Sequence, residues 1–184
     1  MNSDVKKILK LAFILFLICA ITAGVLGGVN EVTKDRIYLQ KNAKTIEAFS
    51  AVLASDRYEE VSFDKAAFPT VDSVNKADNG SGYVVVSTFS GAQGSITMIV
   101  GVDTDYKCTG ISIIEHSETS GLGANAASTA EVGVNFRAQF KGQDESIALS
   151  RDGGDIDALS GATITSRSVT NATLAAILAV KALG

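Results

Sequence analysis

Near the C-terminus, Asp157-Ala158-Leu159-Ser160-Gly161-Ala162-Thr163 runs through Ile164-Thr165-Ser166 into an Ala/Leu/Val-rich stretch ending at Leu183. The run is a small, hydroxyl-rich turn feeding a helix N-terminus. Gly161 and Ala162 let a ligand approach the backbone closely. The unpaired N–H groups of a first helical turn favour an anion there. The same residues also suit a purely local role, because Ser160, Thr163 or Thr165 could serve as the N-cap of the following helix.

A second segment with chemical potential is His116-Ser117-Glu118-Thr119-Ser120-Gly121-Leu122-Gly123. A lone His at a strand end is usually solvated or structural, and a Gly-x-Gly turn means little by itself. No acid/base constellation accompanies it. The chain has one His and two Cys, too few for a zinc or iron–sulfur site. Cys19 lies in an apolar run and leaves Cys108 without a disulfide partner. Cys108 is thus either a buried small hydrophobe or a chance thiol. Any redox role would need an organic cofactor. The net charge of −4, more negative once the N-terminal lysines are set aside, argues against nucleic acid as a partner.

The elements that must position these residues follow from patterning. Leu11 to Val29 is nineteen residues without a charge, and about twenty apolar helical residues cross a bilayer. Lys6, Lys7 and Lys10 precede it, so the positive-inside rule places the N-terminus in the cytoplasm and the remainder outside. The run exceeds the ~7–15 residues of a signal-peptide core, which favours an uncleaved anchor. Ala20, Gly24 and Gly28 recur every fourth residue and would let another membrane helix pack closely.

Glu31 to Leu53 reads as a stalk helix with an apolar stripe through Ile46, Phe49 and Leu53. Residues 56–79 read as irregular, with a break at Pro69. Strands are expected at Gly82–Phe89, Ser95–Val102 and Lys107–Glu115, the last two joined by a turn at residues 103–106. Residues 124–140 read as partly helical, and residues 146–149 as a short strand. Thr165–Leu183 should be a helix burying Val169, Ala172, Ala176, Ile177 and Val180. The expected fold is α+β, an antiparallel sheet with packed helices preceded by one transmembrane helix. Its parts are the cytoplasmic N-terminus and anchor (1–30), a stalk helix and linker packing on the domain (31–80), and a ligand-binding domain (81–184).

The C-terminal run resembles the flavinylation motif of the FMN-binding domain family, an Asp shortly before Ser/Thr-Gly-Ala-Thr. It matches at Asp157, Ser160, Gly161, Ala162 and Thr163. The His116–Gly123 segment resembles that family's second hallmark, His-x-Glu-Thr-Pro-Gly-Leu-Gly, which lies against the flavin. His116, Glu118, Thr119, Gly121, Leu122 and Gly123 match, while Ser120 replaces the usual Pro. The resemblance implies FMN joined by a phosphoester to Thr163, with Thr165 as second choice. It implies that Asp157 is read by a Mg2+-dependent flavin transferase during maturation.

In length and plan the chain is similar to the G subunit of Rnf-type ion-translocating ferredoxin:NAD+ oxidoreductases. Next comes the C subunit of the Na+-translocating NADH:quinone reductase, which carries more sequence between anchor and motif. The resemblance implies a relay that passes electrons between membrane partners in the cell membrane, its flavin domain outside the cytoplasm, and that is not an enzyme alone. The alternatives from other classes are a flavin-free, membrane-anchored binding or assembly protein and a freestanding flavin reductase.

Overall fold

A computed structural model describes residues 10, 12–17, 19, 20, 22, 24 and 47–184. The chain divides into two units, residues 1–43 and 44–184. In the first unit the described residues are helical and exposed. Much of the expected Leu11–Val29 span lies outside the described residues, as does the stalk helix before residue 47. Among the described residues, no helix is long and apolar enough to cross a membrane.

The second unit is built on a five-stranded antiparallel sheet in sequential order: β1 (Tyr58–Val61), β2 (Val71–Ala77), β3 (Gly82–Ser90), β4 (Ser95–Asp103) and β5 (Cys108–His116). β3, β4 and β5 lie within a residue of their expected bounds, because alternating Val and Ile in these strands must face two buried surfaces. Residues 56–79, expected to be irregular, supply β1 and β2 instead. The apolar residues of β2 (Val71, Val74 and Ala77) recur every third position, which hides the strand from a period-two reading. A β-bulge between Val71 and Ser73 brings Val71 and Val74 onto one face. Ala77, an odd number of residues further on, then points to the other face.

Two cores flank this sheet. On one face the apolar side of α2 (Thr163–Lys181), through Val169, Ala172, Ala176, Ile177 and Val180, packs on Val85, Met98, Val100 and Ile111. On the other face the helical residues 47–52 and Leu53 place Ala48, Phe49, Val52 and Leu53 against Val84 and Ile99. Phe49 meets Tyr58 edge-on at 5.1 Å. The stripe through Phe49 and Leu53 is therefore the docking stripe, as its spacing suggests.

Between β5 and α2 the chain forms a 3-10 turn (Gly123–Ala127) and a short helix, α1 (Glu131–Ala138). Gly133 marks their crossing, since a Cβ there would lie 2.3 Å from the Ser128 carbonyl oxygen. Residues 146–149 are not a strand; Leu149 makes only an isolated bridge to Ile156. Cys108 is buried in the α2-side core. Burial pushes its thiol pKa up to about 12, so it is a small core hydrophobe and not a reactive thiolate.

The seat of residues 47–53 has little slack. Val52 accepts a hydrogen bond from the Thr109 hydroxyl at 2.5 Å. A Cβ on Gly101 would lie 2.2 Å from Thr109 Oγ1 and 2.7 Å from the Val52 carbonyl oxygen. Gly101→Ala should therefore lower stability by about 1–3 kcal/mol through overpacking, read as a lower urea midpoint. An unchanged midpoint would contradict the packing of this segment on β4.

Candidate functional site

Both chemically suggestive segments are tight turns built alike. In the first, the Leu122 N–H donates to the Thr119 carbonyl at 3.2 Å, with Gly121 at φ +79. In the second, the Ala162 N–H donates to the Leu159 carbonyl at 3.0 Å, with Gly161 at φ +71. Positive φ at the third position alone is the type II pattern, which favours glycine there. Ser120 and Ser160 occupy the second position, where proline is also favoured. Ser120 thus takes the place for which Pro is suited, and the turn keeps its form without it.

The fold brings the two turns together. A Cβ on Gly161 would lie 3.0 Å from Leu122 Cδ2. Leu122 is 44% exposed and Ile164 62% exposed, two large apolar side chains left open to solvent near Thr163. Thr163, at the first position of α2, is half-buried, and Ser160 is exposed. The N–H groups of Thr163, Ile164 and Thr165 precede the first intrahelical bond, from the Ser166 N–H to the Ala162 carbonyl at 3.0 Å. Those donors and the helix dipole make the start of α2 favourable for an anion.

None of the expected hydroxyls caps α2. The N-cap is Ala162, with no side-chain cap bond. Ser166 instead holds the preceding turn, its hydroxyl accepting from the Leu159 N–H at 3.0 Å and donating to the Ala162 carbonyl at 2.9 Å. Thr165 is fully buried and donates its hydroxyl to Glu118 Oε2.

Glu118 itself is only 9% exposed. Its Oε1 accepts from the Gln93 N–H at 3.0 Å, in the loop between β3 and β4. The surrounding glycines leave the room that the carboxylate occupies. A Cβ on Gly91 would lie 2.3 Å from Oε1, and one on Gly123 would lie 2.2 Å from Oε2 and 2.6 Å from Thr165 Oγ1. Burial raises the Glu118 pKa. The backbone N–H of Gln93, the Thr165 hydroxyl and the N–H groups of Gly94 and Ala92 lower it more, so the net shift is downward.

The remaining expected residues are more peripheral. His116 is exposed, and its Nδ1 accepts from the Glu118 N–H at 3.3 Å. Thr119 is exposed and contributes its carbonyl to its own turn. Asp157 is exposed, its carboxylate accepting from the Ser150 hydroxyl at 2.6 Å. The Gln139 side chain holds its backbone on both sides, accepting from the N–H at 2.7 Å and donating to the carbonyl at 3.3 Å. Sequence reasoning passes over Gln139, Ser166 and the Gly91–Gly94 loop. The Gly-x-x-Gly spacing of that loop, in a hairpin turn, is its only visible signal.

The Glu118 shift has a pH consequence. A carboxyl whose folded pKa is depressed contributes stability above its unfolded pKa of about 4.3 and loses it as pH falls through the folded value. Glu118→Gln should cost about 1–3 kcal/mol at neutral pH, because a charge-assisted network becomes neutral. Below about pH 4 the difference should shrink. Urea titrations of both proteins across that range check this, and a gap that stays constant with pH would contradict it.

Comparison with known proteins gives the family. The FMN-binding domain family matches residues 91–178, starting at the loop that wraps Glu118. The RnfG N-terminal region family matches residues 1–52. The G subunit of the ion-translocating oxidoreductase complex of Methanosarcina acetivorans is 35% identical over 95% of each chain. The G subunit of the proton-translocating ferredoxin:NAD(+) oxidoreductase complex of Clostridium ljungdahlii is 30% identical over 92% of this chain and 89% of its own. A crystal structure of the C subunit of the Na(+)-translocating NADH-quinone reductase from Parabacteroides distasonis gives a TM-score of 0.47 at 26% identity, covering 65% of this chain and 67% of that one. The end-to-end similarity to the two G subunits shows that the chain belongs to the G-subunit family of ion-translocating oxidoreductase complexes.

Proposed function

We propose that this chain is the flavin-carrying electron-transfer subunit of a membrane-bound, Rnf-type ferredoxin:NAD+ oxidoreductase, with FMN joined by a phosphoester to Thr163. The observation that carries the reading is the setting of that hydroxyl. It is half-buried at the first position of α2, beside unpaired N–H groups, with Leu122 and Ile164 exposed nearby. Thr165, the second choice, is fully buried with its hydroxyl already donated to Glu118. The residues present therefore suit a phosphate with an attached planar apolar group.

Bound FMN supplies the redox chemistry, while the protein supplies attachment, orientation and electrostatics. Attachment draws on FAD and a Mg2+-dependent transferase. Thr163 Oγ bonds to the phosphorus of the FMN half, and the phosphoanhydride bond breaks. AMP leaves, and the hydroxyl proton passes to a base on the transferase. The remaining phosphodiester keeps one negative charge, which the start of α2 stabilises by about 0.3–1 kcal/mol if exposed. The exposed carboxylate of Asp157 is available to the transferase as a recognition point. The His116–Gly123 turn and Leu122 would lie along the ring. Electrons would pass to and from other membrane subunits at the open edge, with no residue of this chain acting as acid or base.

Co-expression with a flavin transferase should give a band that fluoresces under ultraviolet light after denaturing electrophoresis. Its intact mass should exceed the chain by one FMN less water. Thr163→Ala should abolish both signals, and a chain that stays unmodified would leave a flavin-free assembly protein as the better reading.

The Leu11–Val29 run is proposed as the anchor, with the N-terminus cytoplasmic and the sheet domain outside. The lysines before it and its uncharged length support this. A reporter active only outside the cytoplasm, fused after Gly184, should be active, and a silent fusion would reverse the orientation.

A further inference from the structure

The first turn of α2 presents two threonines of equal intrinsic reactivity, Thr163 and Thr165, and the structure treats them oppositely. At about 100° per residue, side chains two positions apart on a helix point roughly 200° apart. Turning one hydroxyl inward therefore turns the other outward. What turns Thr165 inward is specific: its hydroxyl donates to Glu118 Oε2. Glu118 cannot rotate away, because Oε1 is held by the Gln93 N–H at 3.0 Å. Only glycine fits beside the two oxygens, since a Cβ on Gly91 or Gly123 would lie 2.3 or 2.2 Å from them. No side chain caps this end of α2. Besides the Ser166 bonds to the preceding turn and the Arg167–Asp152 pair just beyond it, the Glu118–Thr165 bond is the polar contact that fixes the Thr165 side chain in the first turn, while the apolar face of α2 packs on the sheet.

We propose that the Glu118–Thr165 pair is a positioning device that selects Thr163 as the flavin acceptor, holding the competing hydroxyl buried and the reacting one at the surface. The inference rests on the flavin reading above. It assigns Thr165 a role distinct from both attachment and capping: it touches neither FMN nor the transferase and acts through the orientation of Thr163. The transfer is the one already described, in which Thr163 Oγ replaces AMP on the FMN phosphorus of FAD. Thr165 contributes the angle at which that oxygen is offered. Misplacing a reacting atom by about 1 Å can cost on the order of a hundredfold in rate, so a turn free to rotate should be a poor substrate.

The test uses the full-length apo chain, purified flavin transferase, FAD and Mg2+, with initial rates read by in-gel fluorescence well below each variant's melting temperature. Thr165→Val keeps the shape and removes the hydroxyl; its rate should fall about tenfold or more, mainly in kcat, with the KM for FAD unchanged. Thr165→Ser restores the hydroxyl and should return the rate to near that of the unmodified sequence. If Thr165→Val does not fold, Thr165→Ala is read in its place. A folded Thr165→Val chain labelled at the unmodified rate, on Thr163 by peptide mass, would overturn the proposal. A Thr165→Ser chain as slow as Thr165→Val would also overturn it, since bulk and not the hydrogen bond would then matter. Absence of label on the unmodified sequence would instead overturn attachment itself, and the two failures appear in different lanes.

Discussion

Removing a carboxylate from water costs several kcal/mol even after the surroundings relax, unless the protein supplies replacement donors. Glu118 imposes that demand on this fold, and two distant segments answer it, with adjacent Gly123 leaving the room. The β3–β4 loop turns its backbone N–H groups onto one side of the carboxylate. The start of α2 offers the Thr165 hydroxyl. Gly123 comes too close for any side chain. Each segment is constrained by the others, because moving any one would strand a buried charge. The loop must then be a close hairpin, and α2 must begin where Thr165 can reach. A helix that lacks a side-chain cap is thereby held at its first turn by a partner 47 residues away.

The paired turns extend that constraint to the surface. Thr119–Leu122 and Leu159–Ala162 share one geometry, with glycine at the position that needs positive φ. Because Glu118 immediately precedes the first turn and Thr165 closely follows the second, their bond draws the turns together and places Leu122 over Gly161. The replacement of a proline by Ser120 does not disturb this arrangement. The second position of a type II turn accepts most residues, and proline there mainly narrows the unfolded ensemble, by about 0.4–1 kcal/mol. The form of the turn is set by Gly121 and by Glu118 behind it.

What can be read from the residues alone follows the same division between local and distant causes. Gly121 and Gly161 announce their turns because only the backbone decides there. The core stripe of α2 is legible because one buried face repeats at the helical period. The third, fourth and fifth strands are legible because they alternate. The second strand is not, because its bulge breaks the period between Val71 and Ser73, and the first is four residues with two exposed glutamates. A serine or threonine at the start of α2 suggests capping, since such residues usually cap. Thr165 and Ser166 satisfy other groups instead, and no local pattern reveals a partner far along the chain. The Gly91–Gly94 loop is silent for the same reason, its spacing acquiring meaning only once Glu118 is seen inside it.

The openness of the site bears on why a covalent bond would be needed. A phosphate at the start of α2 gains about 0.3–1 kcal/mol from the dipole when exposed. Fully burying a large aliphatic side chain contributes ~1.5–3 kcal/mol, and a flat ring would cover only part of Leu122 and Ile164. With both side chains half covered, these terms together reach about 2–4 kcal/mol, no more than the roughly 4.1 kcal/mol of a millimolar complex. On the flavin reading, FMN held only by such contacts would dissociate readily into the surrounding medium. Deepening the site would raise affinity but would cover the ring edge that must meet neighbouring subunits. A phosphoester to Thr163, as proposed, would remove that conflict, because retention would no longer depend on burial. The surface could then stay shallow, and the rigid parts of the site (Glu118, Thr165 and the paired turns) would act on the angle of the attachment point and not on affinity.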